Sequence, residues 1–138
     1  MIQASTLIRV RYGETDQMGY VYYGNYAQYY EVGRVEFFRS IGLSYKELEG
    51  RGIMLPVISL TSKFIAPGRY DDLLRVVTTI KEIPTGARIQ FEYEIYNEDD
   101  LLIHKAMTEL VFVDMHKNRP CAAPQDLIEK LKSLDNLE

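Results

Sequence analysis

The chain has 138 residues, a formal net charge of −4 and a pI near 5.3. This length fits one domain over residues 1–138, and the acidic balance argues against a protein that binds nucleic acid. No run of about 18 apolar residues and no N-terminal targeting pattern is evident, so we expect no membrane insertion and a cytoplasmic location. Cys121, the one cysteine, excludes an intramolecular disulfide and argues against a structural zinc site.

The first third of the chain predicts a strand, a loop and a long helix. Residues 5–12 form a β-favouring run, and residues 25–41 carry apolar groups at steps of three and four. The positions on this helical face are Tyr26, Tyr30, Gly33, Phe37 and Ile41. Gly33 lowers helix propensity, which indicates that another backbone approaches closely, most simply that of a sheet wrapped around the helix. Gly42 is the predicted stop.

The rest of the chain predicts four more strands and a terminal helix. The strands are expected at residues 53–65, 73–83, 88–97 and 101–114, with short turns between them. Strict alternation in the third of these predicts one buried face and one wet face. The terminal helix is expected at residues 125–134. This order of elements predicts an α+β fold in which one long helix lies across a five-stranded antiparallel sheet.

The loop over residues 11–26 places carboxylates, glycines and tyrosines just before the long helix. A helix start offers N–H groups without intrahelical partners, which stabilise a developing oxyanion, and Tyr23, Gly24 and Asn25 lie where these donors are expected. If the loop folds back on its glycines, Asp16 faces the same acyl carbon as a base or a nucleophile. The alternative from the residues alone is that Asp16 merely caps a turn through its own backbone, and that the tyrosines pack in the core.

The run TDQMGYVYYGNY at residues 15–26 resembles the signature of the 4-hydroxybenzoyl-CoA-thioesterase-like hot-dog family. The resemblance covers nearly the whole chain. Its other parts are Glu31 and Arg34, the Ala66-Pro67 step, Asp71 to Leu74, Val111 to Asp114, and Arg119-Pro120.

This resemblance implies a hot-dog fold, with a long central helix wrapped by a five-stranded antiparallel sheet, in a homo-oligomer that is a dimer or a tetramer. It also implies an acyl-CoA thioesterase whose active sites lie between subunits. Asp16 would be the nucleophile or general base, and the backbone N–H of Tyr23 would polarise the thioester carbonyl. Many bacterial members carry histidine where this chain has Tyr23, whereas the aromatic-acyl enzyme carries tyrosine. The resemblance implies no cofactor and no metal.

Several other polar residues are weaker candidates. Glu31 is either a second carboxylate near the site or the partner of Arg34 three residues on. The basic side chains that suit CoA phosphates are Lys63, Arg69 and Arg88. We assign no role to His104, His116 or Cys121, because none has a recognisable catalytic or metal-binding neighbour in the sequence.

Three alternatives to acyl-CoA hydrolysis stay open at this point. Hydration of enoyl thioesters would use an aspartate with a nearby downstream histidine, and the chain has no histidine before His104. A non-catalytic hot-dog protein that binds acyl-CoA or serves in assembly is the second. The third is an acyl-carrier-protein thioester as substrate, since the pantetheine arm is the same.

Overall fold

A computed structural model describes residues 1–137 of the protein. Its elements, in chain order, are β1 (Ile2–Arg9), α1 (Tyr26–Ser40), α2 (Tyr45–Gly50), β2 (Ile53–Met54), β3 (Val57–Phe64), β4 (Leu73–Ile80), β5 (Arg88–Tyr96), β6 (Leu102–Val111), β7 (Val113–Asp114), β8 (Arg119–Pro120) and α3 (Gln125–Asp135). Short 3-10 turns at Tyr12–Glu14 and Tyr23–Asn25 precede α1. None of the helices in residues 1–137 is long and apolar enough to cross a membrane.

The main sheet is antiparallel with five strands in the order β1-β4-β5-β6-β3, which confirms the α+β prediction. The strand predicted at 53–65 is wrong as one element. It breaks at Leu55 and Pro56, because proline has no N–H for a ladder, and β2 joins β7 and β8 in a separate small sheet. The strand predicted at 101–114 also divides, because β6 ends at Val111 and residues Val113–Asp114 pair instead with β2 and β8 in the small sheet.

Helix α1 packs on the sheet through its apolar stripe, and Phe37 and Phe38 are fully buried. A Cβ added at Gly33 would lie 2.5 Å from Thr78 Oγ1 and 3.1 Å from Val76 Cγ1. The predicted close approach therefore exists, but it is made by side chains of β4 rather than by backbone. The helix ends where predicted, since Gly42 has φ +84° and the next N–H, of Leu43, donates back to the carbonyl of Phe38 at 2.9 Å.

The strands differ in how the fold covers them. On β5 the alternate residues Ile89, Phe91, Tyr93 and Ile95 are buried, which confirms the predicted one-sided pattern. Strand β3, by contrast, is exposed at all eight positions and lies at the edge of the sheet. Its exposed apolar side chains, together with that of the residue that follows it, are those of Val57, Ile58, Leu60, Phe64 and Ile65.

Candidate active site

The loop that carries Asp16 folds into a tight hairpin. The N–H of Asp16 donates to the carbonyl of Tyr20 at 2.8 Å, and the N–H of Gly19 donates to the carbonyl of Asp16 at 3.0 Å. Thr15 and Val21 form an antiparallel bridge one step further out. Gly19 has φ +76°, a conformation that glycine adopts without steric cost, so the run of residues 16–20 closes the hairpin.

The Asp16 carboxylate does two things in this hairpin. Its Oδ1 accepts the N–H of Met18 at 2.9 Å and the N–H of Tyr20 at 3.2 Å. The residue therefore caps its own turn, which was the alternative interpretation of Asp16 from the sequence. Its Oδ2 accepts no hydrogen bond from residues 1–137, and the residue is only half-buried. One carboxylate oxygen is therefore held by the turn and the other is available for chemistry.

The start of α1 presents two backbone donors side by side. The 3-10 turn at Tyr23–Asn25 uses the carbonyl of Tyr22 to accept the N–H of Asn25 at 2.9 Å. Within the described chain the N–H groups of Tyr23 and Gly24 donate to no acceptor. The Tyr23 side chain is 68% exposed, and the Tyr22 ring lies 2.9 Å from where a Cβ of Gly24 would be, so it covers that glycine. Unpaired N–H groups at a helix start are the kind of donor that stabilises an oxyanion, so these two groups are candidates for that role.

Hydrogen bonds fasten the hairpin to the helix start and to a second loop. The carbonyl of Glu14 accepts the N–H of Tyr22 at 2.9 Å and Nδ2 of Asn25 at 2.8 Å. On the other side, the N–H of Val21 donates to the carbonyl of Gly68 at 2.8 Å, and residues 19–20 pair with residues 69–70. The fold thus brings both predicted site positions, Asp16 and Tyr23, onto one fastened unit. Their catalytic roles stay predictions.

The pair of Glu31 and Arg34 is arranged differently from the ion pair that the sequence suggested. Arg34 is buried, and it donates Nε to the hydroxyl of Tyr45 at 3.1 Å and Nη1 to the hydroxyl of Tyr93 at 2.9 Å. Glu31 is exposed on the same helix and forms no ion pair with Arg34 among residues 1–137. The guanidinium therefore joins α1 to α2 and β5 and is not a partner for Glu31.

The three candidate phosphate ligands lie in different places. Arg88 pairs with Glu109 at 3.0 Å on the sheet surface. Lys63 lies on β3, directly opposite Lys105 of β6. The guanidinium of Arg69 lies 5.0 Å from the ring centre of Tyr20, beside the Asp16 hairpin. Of the three, Arg69 is therefore the one whose contacts with Tyr20 place it beside the hairpin that carries Asp16.

Two residues that were given no role from the sequence, His104 and Glu14, are buried and specifically hydrogen-bonded in the structure. His104 is fully buried, stacks on Tyr26 with ring centres 4.0 Å apart, and bonds through Nε2 to the hydroxyl of Tyr30. Its Nδ1 has no partner in the described part of the chain. Burial lowers the pKa of His104 to about 4, so the ring is neutral at physiological pH. The inward alternation at positions 104, 106, 108 and 110 of β6 was the available signal.

The buried His104 makes the fold sensitive to acid. In the unfolded chain this ring takes up a proton near its ordinary pKa of about 6.5, whereas in the folded chain it does so only near its lowered pKa of about 4. The stability that is present above pH 6.5 is therefore lost as the pH falls from about 6.5 to about 4. When the pH is lowered from about 7 to about 4.5, we expect protonation of His104 to reduce the free energy of unfolding by roughly 2–3 kcal/mol.

Urea unfolding of wild type and His104→Gln at both pH values measures this difference. The variant should lose less stability on acidification than wild type, whereas the matched change His116→Gln, at an exposed residue, should behave as wild type. An equal acid loss in wild type and His104→Gln would contradict the prediction.

Neither His116 nor Cys121 gains a role from the structure. His116 is exposed in the turn after β7, and Cys121 is half-buried with a free thiol whose pKa is raised by burial. In residues 1–137 no three His, Cys, Asp or Glu side chains cluster in a way that could hold a metal ion.

Comparison with known proteins places this chain in a family. Residues 10–131 match the model of the thioesterase-like superfamily. The acyl-CoA thioester hydrolase YbgC of Escherichia coli is 32% identical over 125 residues, which cover 91% of this chain and 92% of that protein. The chloroplastic acyl-acyl carrier protein thioesterase ATL3 of Arabidopsis thaliana is 35% identical over 126 residues, covering 89% of this chain and 64% of the plant protein.

The structural likeness is equally extensive. The crystal structure of a DHNA-CoA thioesterase from Staphylococcus aureus superposes with a TM-score of 0.92 and 32% identity, and the match covers 99% of this chain and 93% of that one. The chain belongs to the thioesterase-like superfamily. Its fold is the hot-dog fold, which confirms the resemblance read from residues 15–26.

Proposed function

We propose that the protein hydrolyses acyl-CoA thioesters to a free acid and CoA. One observation carries the proposal. The Asp16 carboxylate, with Oδ2 unengaged by residues 1–137, lies on a hairpin that is fastened to a helix start where the Tyr23 and Gly24 N–H groups are free. Acyl transfer needs a nucleophile or base together with oxyanion donors, and this unit carries both kinds of group. Relatives named as thioester hydrolases support this reading.

The proposed chemistry has two versions that use the same groups. In the first, Asp16 Oδ2 attacks the thioester carbon, the carbonyl oxygen becomes an oxyanion at the Tyr23 N–H, and the C–S bond breaks to give an anhydride and CoA thiolate. Water then hydrolyses the anhydride and restores the carboxylate. In the second, Asp16 takes a proton from water as the water oxygen attacks the carbon; the oxyanion then collapses, the C–S bond breaks to give the free acid and CoA thiolate, and the proton passes from Asp16 to the thiolate or to solvent. A thiol has a pKa of about 8.5, so the thiolate leaves without a strong acid.

The protein works as a homo-oligomer in this proposal, with β3 as the contact. Ser62 bonds to the hydroxyl of Tyr30 on α1, so the alternate positions Leu60 and Phe64 lie on the helix side of the sheet. These two residues are 48–54% exposed at an unpaired edge. A second copy placed antiparallel along β3 would pair that edge and cover these apolar groups.

The proposal leaves two features of the substrate to be determined, which are the acyl group and whether its carrier is CoA or an acyl carrier protein. Tyr22 and Tyr23 are exposed beside the free N–H groups, which suits an aromatic or short aliphatic acyl group. The relatives include one named for an acyl-CoA, one for an acyl carrier protein and one for DHNA-CoA, so both carriers belong in the test.

A non-catalytic acyl-CoA-binding or assembly role is the second candidate. The observation that favours it is the engagement of Asp16 Oδ1 by two N–H groups of its own turn, which gives the residue a structural use. Such a protein would keep the fold and the free N–H groups at the helix start but would not break the thioester.

Release of free thiol from a panel of acyl-CoAs tests the two candidates. The panel holds short, long, branched and aromatic acyl groups, each offered on CoA and on acyl carrier protein. Under the proposal at least one acyl-CoA is turned over, and the best one names the acyl class. Tight binding of acyl-CoA without thiol release across the panel would favour the second candidate.

A further inference from the structure

Glu14 stands two residues before Asp16 and is one of the few charged residues that the fold buries. Its carboxylate accepts four hydrogen bonds, each at an ordinary distance. Oε1 accepts the backbone N–H of Arg11 at 2.9 Å and the hydroxyl of Tyr29 at 3.0 Å. Oε2 accepts Nε and Nη2 of the Arg11 guanidinium at 3.2 and 3.0 Å. A buried carboxylate satisfied in this way has one defined position.

The same residue holds the hairpin at a second point. Its carbonyl oxygen accepts the N–H of Tyr22 and the side-chain amide of Asn25, which are the residues on either side of Tyr23 and Gly24. The side-chain bond to Tyr29 lies about one turn further along α1. Glu14 is thus hydrogen-bonded to the helix at two points about one turn apart. These bonds fix both its distance from the start of α1 and its position along the helix axis.

Electrostatics keep this arrangement intact near neutral pH. Burial alone would raise the pKa of Glu14, but the backbone and guanidinium of Arg11 and the hydroxyl of Tyr29 outweigh it and lower the pKa below the ordinary value. The carboxylate is therefore charged when the protein works. Glu14 lies on the core side of the hairpin, and its charge is already matched by Arg11, so it does not serve as the reacting group.

We propose that Glu14 is a positioning residue, which sets the separation between the Asp16 carboxylate and the free N–H groups of Tyr23 and Gly24. This inference rests on the proposed function, because the separation matters only if both groups act on one acyl carbon. Placement errors of about 1 Å in such sites cost on the order of 100-fold in rate. Loss of the Glu14 bonds should therefore slow turnover more than it weakens substrate binding.

The test compares Glu14→Gln and Glu14→Leu with wild type, using kcat and KM for the best acyl-CoA. Glutamine keeps a carbonyl oxygen that accepts from Arg11 N–H and Tyr29, so we expect a fall in kcat of about 3- to 10-fold, whereas leucine accepts nothing and should lower kcat by about 10- to 100-fold. KM should change by less than about 3-fold in both. Tyr29→Phe, which removes one bond from the helix side, should resemble the glutamine variant.

Matched controls are Glu36→Gln and Glu36→Leu. Glu36 also pairs with an arginine three residues away, Arg39, but lies near the other end of α1, so both changes should leave kcat unchanged. Circular dichroism confirms which variants are folded at the assay temperature. A folded Glu14→Leu protein with wild-type kcat, or one in which KM rises while kcat is unchanged, would overturn the positioning role.

A second measurement separates failure of this inference from failure of the proposed function. Hydrogen exchange of the Tyr22 and Met18 amides reports how firmly the hairpin is held, whether or not the protein hydrolyses anything. We expect exchange about 10-fold faster in Glu14→Leu than in wild type, and unchanged exchange in Glu36→Leu. If wild type is inactive on every acyl-CoA, the proposed function fails. Unchanged exchange in Glu14→Leu overturns the positioning role in either case.

Discussion

Asp16→Asn should lower kcat for acyl-CoA hydrolysis by about 10²- to 10⁴-fold, the range for loss of a general base, and should leave the fold intact. The amide oxygen of asparagine can take the place of Oδ1 and accept the N–H groups of Met18 and Tyr20, so the hairpin keeps its cap. What disappears is the charge on the carboxylate and the basicity of the free oxygen. Thiol release measures kcat, thermal unfolding measures the stability of the fold, and calorimetry measures whether CoA binding is retained.

The control for this variant is Asp71→Asn. Asp71 is an exposed aspartate in the neighbouring loop with φ +69°, a conformation that asparagine tolerates well, so activity and stability should both be retained. Near-normal turnover in Asp16→Asn would remove Asp16 from the chemistry and leave it only the turn. Loss of turnover together with unfolding would mean that the amide does not replace the carboxylate in the cap.

Leu60→Asp should convert the proposed homo-oligomer to single chains of 16.0 kDa, as read by size-exclusion chromatography with light scattering. Leu60 is 48% exposed on the helix side of β3, where the proposal places a second copy. A carboxylate buried there without a partner costs enough to raise the dissociation constant by about 100-fold or more. The separated chain should keep its own sheet, because Leu60 contributes little to the buried core of one copy.

The opposite edge of the sheet supplies the matched control. Leu7 on β1 is 60% exposed at the other edge strand, so Leu7→Asp makes the same chemical change where no contact is proposed. This variant should keep the mass of wild type. A wild-type mass for Leu60→Asp, or a monomer only for Leu7→Asp, would move the contact away from β3.

The elements with strong local patterns could be predicted from the sequence. Helix α1 was expected at residues 25–41 and spans Tyr26–Ser40, because its apolar stripe and the glycine after it are local signals. The strand predicted at residues 53–65 is interrupted at Pro56, because proline has no N–H to donate to a strand ladder. The start of β1 at Ile2, ahead of the predicted 5–12, is set by pairing with β4, which no local pattern reveals.

The site was predictable only in part. The family-like run at residues 15–26 pointed to Asp16 and Tyr23, and the fold places them on one fastened unit. It did not point to Glu14, because a buried carboxylate is recognised by its partners, and Tyr29 lies 15 residues away across the helix. His104 escaped for a stronger reason, since its contact with Tyr30 depends on the register of β6 beside β3 and β5.

The double use of the Asp16 side chain has an evolutionary consequence. We expect asparagine to satisfy the turn geometry at this position as aspartate does, whereas thioester hydrolysis as proposed needs the carboxylate. A single nucleotide change in an aspartate codon produces asparagine. If Asp16 acts as proposed, one nucleotide change would convert the enzyme into a folded protein that binds acyl-CoA without hydrolysing it, and the reverse change would restore hydrolysis.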